Sequence, residues 1–166
     1  MSATQDYIDR LTRLKAGDLG LLRTHAGQAL DESVQGFDLF TGVWWPLRAK
    51  TPRAPRREVA WLIAKLYALF PVPQVAGQTV ARQLRRGQPL SEPARTRFQQ
   101  KLDGMLLCPL GQMEPALQWA LGAVAAAREP QLDWMKLTDD LSCWELEPTR
   151  LSWAKEFLEA TDTERE

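Results

Sequence analysis

The side chains with the clearest chemical use in this sequence are the arginines and lysines of its middle segment. Residues 43–101 carry twelve basic and two acidic side chains, which is a net charge of +10. Arginine predominates, and its planar guanidinium group can donate two parallel hydrogen bonds to one phosphate. A basic segment of this kind is the electrostatic signature of proteins that bind the phosphate backbone of nucleic acids.

These basic side chains form three groups along the chain. The first group lies within ten residues that contain no acid, and the second has the i, i+3, i+4 spacing that places three side chains on one helix face. The third group follows on the next predicted helix. The candidates for phosphate contact are Arg48, Lys50, Arg53, Arg56 and Arg57 in the first group, Arg82, Arg85 and Arg86 in the second, and Arg97 and Lys101, beside Arg95, in the third.

The rest of the chain is acidic and offers an alternative use for the basic segment. Residues 1–42 have a net charge of −2 and residues 102–166 a net charge of −8, so the formal charge of the whole chain is zero. A neutral chain would usually argue against nucleic-acid binding, but here the zero hides an uneven distribution. The alternative is a solvated basic face that pairs with the acidic final third or with an acidic partner.

No motif in the sequence reads the edges of bases. We find no helix-turn-helix with a clear recognition helix, no zinc ligand set and no signature of an RNA-recognition sheet. Any contact with nucleic acid is therefore expected at the backbone and independent of base sequence.

Residues for catalysis or metal binding are few. The single histidine, His25, supports neither a histidine-based metal site nor a catalytic triad. Asp139 and Asp140 are the best carboxylate pair, but neighbouring side chains on a helix point about 100° apart. We expect one of the two to be exposed and the other to form a salt bridge. Nucleotide-binding glycine loops and nucleophile elbows are missing, so we predict no enzyme, no metal and no cofactor.

Cysteine usage and the apolar runs favour a cytoplasmic protein with reduced thiols. Cys108 and Cys143 lie far apart, and both are expected to be small buried hydrophobic residues. The first ten residues lack the apolar core of a signal peptide. The longest apolar-rich stretch, Ala116–Ala127, is too short to cross a membrane. Most of the seven tryptophans are expected to fill the core between helices.

The elements that must position these residues are helices. A composition of 45% hydrophobic and 25% charged residues excludes a disordered chain, a collagen and a disulfide scaffold. Apolar residues recur at helical spacing between proline and glycine breaks. We predict an all-α protein of about nine helices in two packed bundles, 1–88 and 89–166. The predicted helices lie near 4–15, 18–25, 37–47, 55–70, 78–86, 91–106, 109–124, 133–141 and 148–158, with an exposed loop over Arg48–Pro55.

Five segments in a fixed order resemble a known family. Together they are similar to the CasB-type small subunit of the type I-E Cascade, a CRISPR surveillance complex, over roughly residues 55–160. The pattern L-D-W-x-x-L-x-x-D-L-x-x-W followed by W-A-x-x-F is the strongest part. The segments are WLIAKLYALF (61–70), GQTVARQL (77–84), ARTRFQQKL (94–102), LDWMKLTDDLSCW (132–144) and RLSWAKEF (150–157).

The resemblance implies a protein without enzymatic activity that acts inside the complex. Two copies would lie side by side along the crRNA-bearing subunits, hold the crRNA–target heteroduplex and guide the displaced non-target DNA strand. Arg82 and Arg97 match basic positions of the family, and Arg23 resembles another one in the second helix. The family often has L-R-[RQ] in its seventh helix, where this chain has Leu117-Gln118-Trp119, so a contact from that helix is in doubt.

The functional prediction is therefore a noncatalytic Cascade subunit that stabilises the R-loop in antiviral defence. The expected partners are the crRNA, the target and non-target DNA strands, the other Cascade subunits and a second copy of the chain, with no membrane. One alternative is a helical adaptor whose basic face binds an acidic protein. Another is a helical enzyme that uses Asp139 and Asp140 and binds a metal ion.

Overall fold

The computed structural model describes residues 2–28, 34–50 and 55–163, and over these residues the protein is built from helices. Within them we count nine α-helices, one 3₁₀ turn at Leu110–Gln112 and no strand, apart from an isolated bridge between Gln74 and Leu132. The all-α prediction is confirmed. The helices are α1 Ala3–Thr12, α2 Ala16–Thr24, α3 Val34–Lys50, α4 Arg57–Leu69, α5 Val80–Gly87, α6 Ala94–Leu107, α7 Glu114–Ala125, α8 Trp134–Ser142 and α9 Glu147–Thr163.

The chain divides into two compact units. The N-terminal unit takes Met1–Val72 together with Trp134–Ser142, and the second unit takes Pro73–Asp133 together with Cys143–Glu166. Helix α8 thus belongs with the first helices of the chain, although it lies late in the sequence. The bundles 1–88 and 89–166 stay a prediction, with bounds that differ from those of the compact units.

In the N-terminal unit, α4 is the central helix. Nine of its thirteen residues are buried, and it packs against α2, α3 and α8. The Tyr7 hydroxyl of α1 donates to the carbonyl of Ala60, and burial raises the pKa of this phenol well above its usual value, so it remains a neutral donor. From α8, Trp134 Nε1 donates to Val72 O at 2.7 Å. The Tyr7 hydroxyl and the Trp134 indole N–H, both buried in this core, therefore have partners.

In the second unit, α5 and α6 each pack against α7 and α9. The Thr79 hydroxyl caps α5, accepting from Arg82 N at 3.2 Å and donating to Glu156 of α9 at 2.6 Å. The loop before α5 is closed by Asp133, whose carboxylate accepts from Gly77 N at 2.9 Å. Gly77 has φ +84°, a left-handed conformation that favours glycine. These bonds fix where α5 begins.

Two local predictions were wrong. Residues Arg48–Lys50 were expected in a loop, but they form the last turn of α3. The helix runs through Pro46 to Lys50, so proline and basic residues in this segment do not prevent helix, and residues 51–54 of the predicted loop lie outside the described part of the chain. Cys143 is exposed and Cys108 is half-buried instead of both being buried. Each cysteine directly follows a helix end, where the chain leaves the apolar face and turns at the surface.

Candidate nucleic-acid interface

Four basic residues of the N-terminal unit lie where α3 ends and α4 begins. Arg48 and Lys50 occupy the last turn of α3, Arg56 is the residue just before α4 and makes no side-chain capping hydrogen bond, and Arg57 is the first residue of α4. Arg48 is half-buried and the other three are exposed. We call these four residues the helix-end cluster. Arg53, predicted as a fifth member, lies outside the described residues.

A pair of aromatic contacts holds the two helix ends together. Trp44 Nε1 donates to Pro55 O at 2.7 Å, which ties α3 to the residue two positions before α4. The Trp44 ring also stacks on Phe40, with centroids 5.6 Å apart and planes 11° apart. Phe40 is buried against the Trp61 ring of α4. Aromatic packing and the Trp44–Pro55 hydrogen bond therefore help to fix where the two helix ends, and the basic residues on them, lie.

The local electrostatics favour an anion at this cluster. The first turn of a helix carries a partial positive charge, which adds to the charges of Arg56 and Arg57 at the start of α4. One exposed acid, Glu58, lies in the same turn. Asp38 is exposed on α3, but it lies three turns before Lys50. Counted over residues 38–50 and 55–58, which the structure describes, the four cations outnumber these two acids.

Arg23 lies on a different helix of the same unit. It is exposed in the last turn of α2, and its Nε is 3.4 Å from Leu19 O of the preceding turn. Helix α2 packs against α3 and α4, the helices that carry the cluster.

The three arginines of α5 divide between two directions. Arg82 Nη1 donates to Gly77 O and Arg86 Nη1 donates to Gln78 Oε1, both at 3.2 Å, so these two side chains lie along the loop before α5. Arg85 Nη1 instead donates to Phe157 O of α9 at 3.1 Å and is half-buried. The i, i+3, i+4 spacing predicted that the three arginines share one face of α5. In the structure, Arg82 and Arg86 bond to the loop before α5, whereas Arg85 bonds to α9.

Helix α6 carries the remaining candidates of the second unit. Arg97 and Lys101 are both exposed, and Lys101 Nζ lies 5.5 Å from the centre of the Trp119 ring of α7. Trp119 also packs edge-on against Phe98 at 5.1 Å. The seventh helix lacks the basic residue that the family often has there, and Lys101 of α6 places a positive charge over the same part of α7.

Sequence reasoning missed one residue beside the helix-end cluster. Trp45 exposes 56% of its surface, whereas Trp61, Trp134, Trp144 and Trp153 are buried as predicted. The signal was the Trp44-Trp45 pair: adjacent side chains on a helix point about 100° apart, so both rings cannot face one core.

The residues considered for catalysis have structural contacts. The His25 ring packs against Trp61, with Nδ1 3.0 Å from Gln28 Oε1. Asp139 is exposed and accepts from the Thr4 hydroxyl at 2.7 Å, while Asp140 pairs with Lys136, as the sequence predicted for one exposed and one bridged carboxylate. Over the described part of the chain, no group of three or more His, Cys, Asp or Glu residues is placed to hold a metal ion.

None of the helices in residues 2–28, 34–50 and 55–163 is both long enough and apolar enough to cross a lipid bilayer.

Three solved structures resemble the chain over nearly its whole length. A CRISPR-associated protein of the Cse2 family from Thermus thermophilus has a TM-score of 0.70 at 24% identity, over 95% of this chain and 98% of its own. A structure of CasB from Thermus thermophilus gives 0.70 at 23% identity over the same shares. CasB from M. ruber gives 0.75 at 19% identity, over 99% and 97%. The helical fold of this chain is therefore shared with CasB proteins.

The fold and the basic side chains define an all-α protein with exposed positive charge in each of its two units. A sequence profile of the CRISPR-associated protein Cse2 family matches residues 18–158, which is most of the chain. The chain belongs to this Cse2/CasB family, the small subunits of the type I-E Cascade, as the sequence resemblance indicated. No curated protein sequence matches it.

Proposed function

We propose that the protein is a noncatalytic subunit of a type I-E Cascade that binds nucleic-acid backbone without sequence specificity. In this role it stabilises the crRNA–target heteroduplex and the displaced non-target DNA strand. The observation that carries the proposal is the family match over residues 18–158, joined to a net charge of +10 on residues 43–101.

Weak backbone contacts are enough for this role. The RNA–DNA heteroduplex of an R-loop is about as stable as the DNA duplex that it replaces, so contacts with the displaced strand can shift the balance. Each neutralised phosphate of a single strand contributes about −0.7 to the slope of log K against log salt. At 0.1 M salt this corresponds to about fivefold in affinity per contact.

The proposed phosphate contacts fall in both units. Those with exposed side chains are the strongest candidates, and a guanidinium that donates one hydrogen bond to its own chain keeps other N–H groups for phosphate. Arg85 is the weakest candidate, because it is half-buried against α9. The proposed contacts are Arg23, Arg48, Lys50, Arg53, Arg56, Arg57, Arg82, Arg85, Arg86, Arg97 and Lys101.

The acidic final third is proposed to face protein. Residues 102–166 have a net charge of −8, which would repel nucleic acid but not the other Cascade subunits or a second copy of the chain. A cytoplasmic location without cofactor or metal completes the proposal.

The test removes three exposed basic residues in a reconstituted Cascade. Lys50, Arg57 and Arg97 are changed to alanine, and R-loop lifetime on duplex target is measured from 0.05 to 0.3 M salt. We expect the lifetime to fall by about 100-fold at 0.1 M, and the salt slope to become less steep by about two.

The matched control changes three other exposed basic residues, two in the N-terminal unit and one in the second. Arg13, Lys15 and Arg128 lie outside the proposed interface. Their alanine variant should keep the wild-type lifetime and slope. An unchanged R-loop lifetime in the first variant, with normal assembly by gel filtration, would contradict the proposal.

A second candidate function, a protein adaptor, is favoured by one surface of the second unit. Leu151 and Leu158 are 58% and 64% exposed and lie seven residues apart on α9, so they share a stripe of that helix. Exposed apolar stripes often contact protein. A gel shift with single- and double-stranded DNA at low salt separates the two functions, since an adaptor gives no shift and no R-loop defect in the basic variants.

A further inference from the structure

Trp44 is the side chain that connects the two helix ends of the helix-end cluster. Its indole Nε1 donates to Pro55 O at 2.7 Å, and Pro55 directly precedes Arg56 in the chain. On α3, Trp44 lies four residues before Arg48, and residues at this spacing share one side of a helix. One indole is therefore bonded beside the cations that start α4 and lies on the same helix face as a cation that ends α3.

The hydrogen bond from Trp44 holds the end of α3 against a fixed support. Helix α4 is the support, because nine of its thirteen residues are buried and Pro55 just before it is buried as well. The donor is also fixed in direction, since its ring stacks on Phe40, with planes 11° apart, and Phe40 is itself buried. The bond therefore limits where the last turn of α3, with Lys50, can lie relative to the start of α4.

A fixed distance between two helix ends matters for a ligand that carries charge at regular intervals. Lysine and arginine side chains lose conformational entropy when they bind, and a cation on a loosely held helix end loses still more. Cations on two helix ends can contact neighbouring phosphates of one strand at the same time only where the distance between the ends suits the spacing of the phosphates. A bond that sets this distance reduces the entropy lost on binding.

We propose that Trp44 is a positioning residue for the helix-end cluster. Its indole N–H holds the end of α3 against the start of α4, so that Lys50 and Arg57 reach neighbouring phosphates together. This rests on the proposed function, because it requires that the cluster contacts phosphate. Trp44 acts through these cations and not by touching nucleic acid itself.

The experiment removes the donor and keeps the aromatic ring. Trp44→Phe can still stack on Phe40, and in reconstituted Cascade it should shorten R-loop lifetime on duplex target by about fivefold at 0.1 M salt, the effect of one lost phosphate contact. The matched control is Trp134→Phe, which removes another indole donor of the same unit, bonded to Val72 O, also at 2.7 Å. Trp134 packs against Tyr67 in the last turn of α4, at the opposite end of that helix from the cluster. This control should keep the wild-type lifetime.

A double-mutant cycle tests whether Trp44 acts through the cations. In the Lys50→Ala, Arg57→Ala background, adding Trp44→Phe should change R-loop lifetime by less than about twofold, because the cations that it positions are gone. In the Arg97→Ala background, which alters only the second unit, Trp44→Phe should keep its effect of about fivefold. A general loss of stability, or direct contact between Trp44 and nucleic acid, would give the same loss in both backgrounds.

Three results would each overturn the proposal. They are a wild-type lifetime for Trp44→Phe, an equal loss in the two backgrounds, and failure of Trp44→Phe to enter the complex by gel filtration, since the residue would then serve the fold as a whole. An R-loop defect in the Lys50, Arg57, Arg97 variant together with a wild-type lifetime for Trp44→Phe would leave the proposed function standing and remove the positioning role alone. A wild-type lifetime for that triple variant would instead remove the proposed function.

Discussion

The helix-end cluster and the arginines of α5 show two ways of placing basic side chains on a helix. Lys50, Arg56 and Arg57 lie at helix ends with exposed side chains, positioned by an aromatic core beneath them. Arg82 and Arg85 of α5 donate hydrogen bonds to carbonyl groups of their own chain. Charge density along the sequence therefore does not distinguish cations with exposed side chains from cations that bond to the fold.

The largest expected effect is on stability, at Arg85. Arg85→Ala removes a charged donor from Phe157 O and should lower the free energy of unfolding by about 1.5–3 kcal/mol, measured by urea denaturation of the full chain. Arg86→Ala, on the same helix but exposed, should stay within about 0.5 kcal/mol of wild type. Equal unfolding free energies for the two variants would contradict the claim that Arg85 supports the fold and Arg86 does not.

The second prediction compares R-loop binding by two double variants, one in the helix-end cluster and one in α5. The double variant Lys50→Ala, Arg57→Ala should bind in the R-loop about 25-fold more weakly at 0.1 M salt. The slope of log K against log salt should become less steep by about 1.4. Arg82→Ala with Arg86→Ala should cost about fivefold, because each of these guanidinium groups already donates to its own chain. Salt titrations of both variants check it, and the reverse order of effects would contradict it.

The third prediction concerns Glu58, whose replacement should strengthen R-loop binding instead of weakening it. Glu58→Gln removes the acid from the first turn of α4, so R-loop stability should rise by up to about fivefold and its salt slope should steepen. The unfolding free energy should fall by about 0.3–1 kcal/mol, since an acid at a helix N-terminus is stabilising. Glu92→Gln, an exposed acid of the second unit, serves as the control. Weaker binding by Glu58→Gln would place nucleic acid elsewhere.

The smallest effect is expected at Lys101. Its ammonium lies 5.5 Å from the Trp119 ring, so Lys101→Gln should lower the unfolding free energy by about 0.5–1 kcal/mol. Lys101→Arg should retain the wild-type value, since a guanidinium also binds the ring face. Thermal unfolding of the full chain measures both, and a loss with Lys101→Arg would mean that the contact depends on more than charge.

Much of the architecture was predictable because helix formation depends on residues that are close together in the sequence. Apolar residues at helical spacing predicted the buried face of α4, and Pro71-Val-Pro73 correctly predicted its end. The errors arose where local rules compete. A segment rich in basic residues and proline was assigned to a loop, but α3, which already contains Pro46, extends through Lys50.

Candidate site residues were predictable as a set but not in their roles. Charge counting found every cation of the helix-end cluster, because net charge depends on composition alone. It did not find Trp45, since exposure of an indole depends on which neighbours fill the core around it. The cysteines were misassigned for the same reason.

The sequence by itself determined that the protein is helical, where most of its helices break and where its positive charge concentrates, since periodicity, helix-breaking residues and side-chain charge act over a few residues. Only the tertiary structure decided that α8 joins the N-terminal unit and that Arg85 bonds to a carbonyl 72 residues away. It also decided that Trp45 remains at the surface. These outcomes depend on packing between segments distant in sequence, which no local pattern encodes.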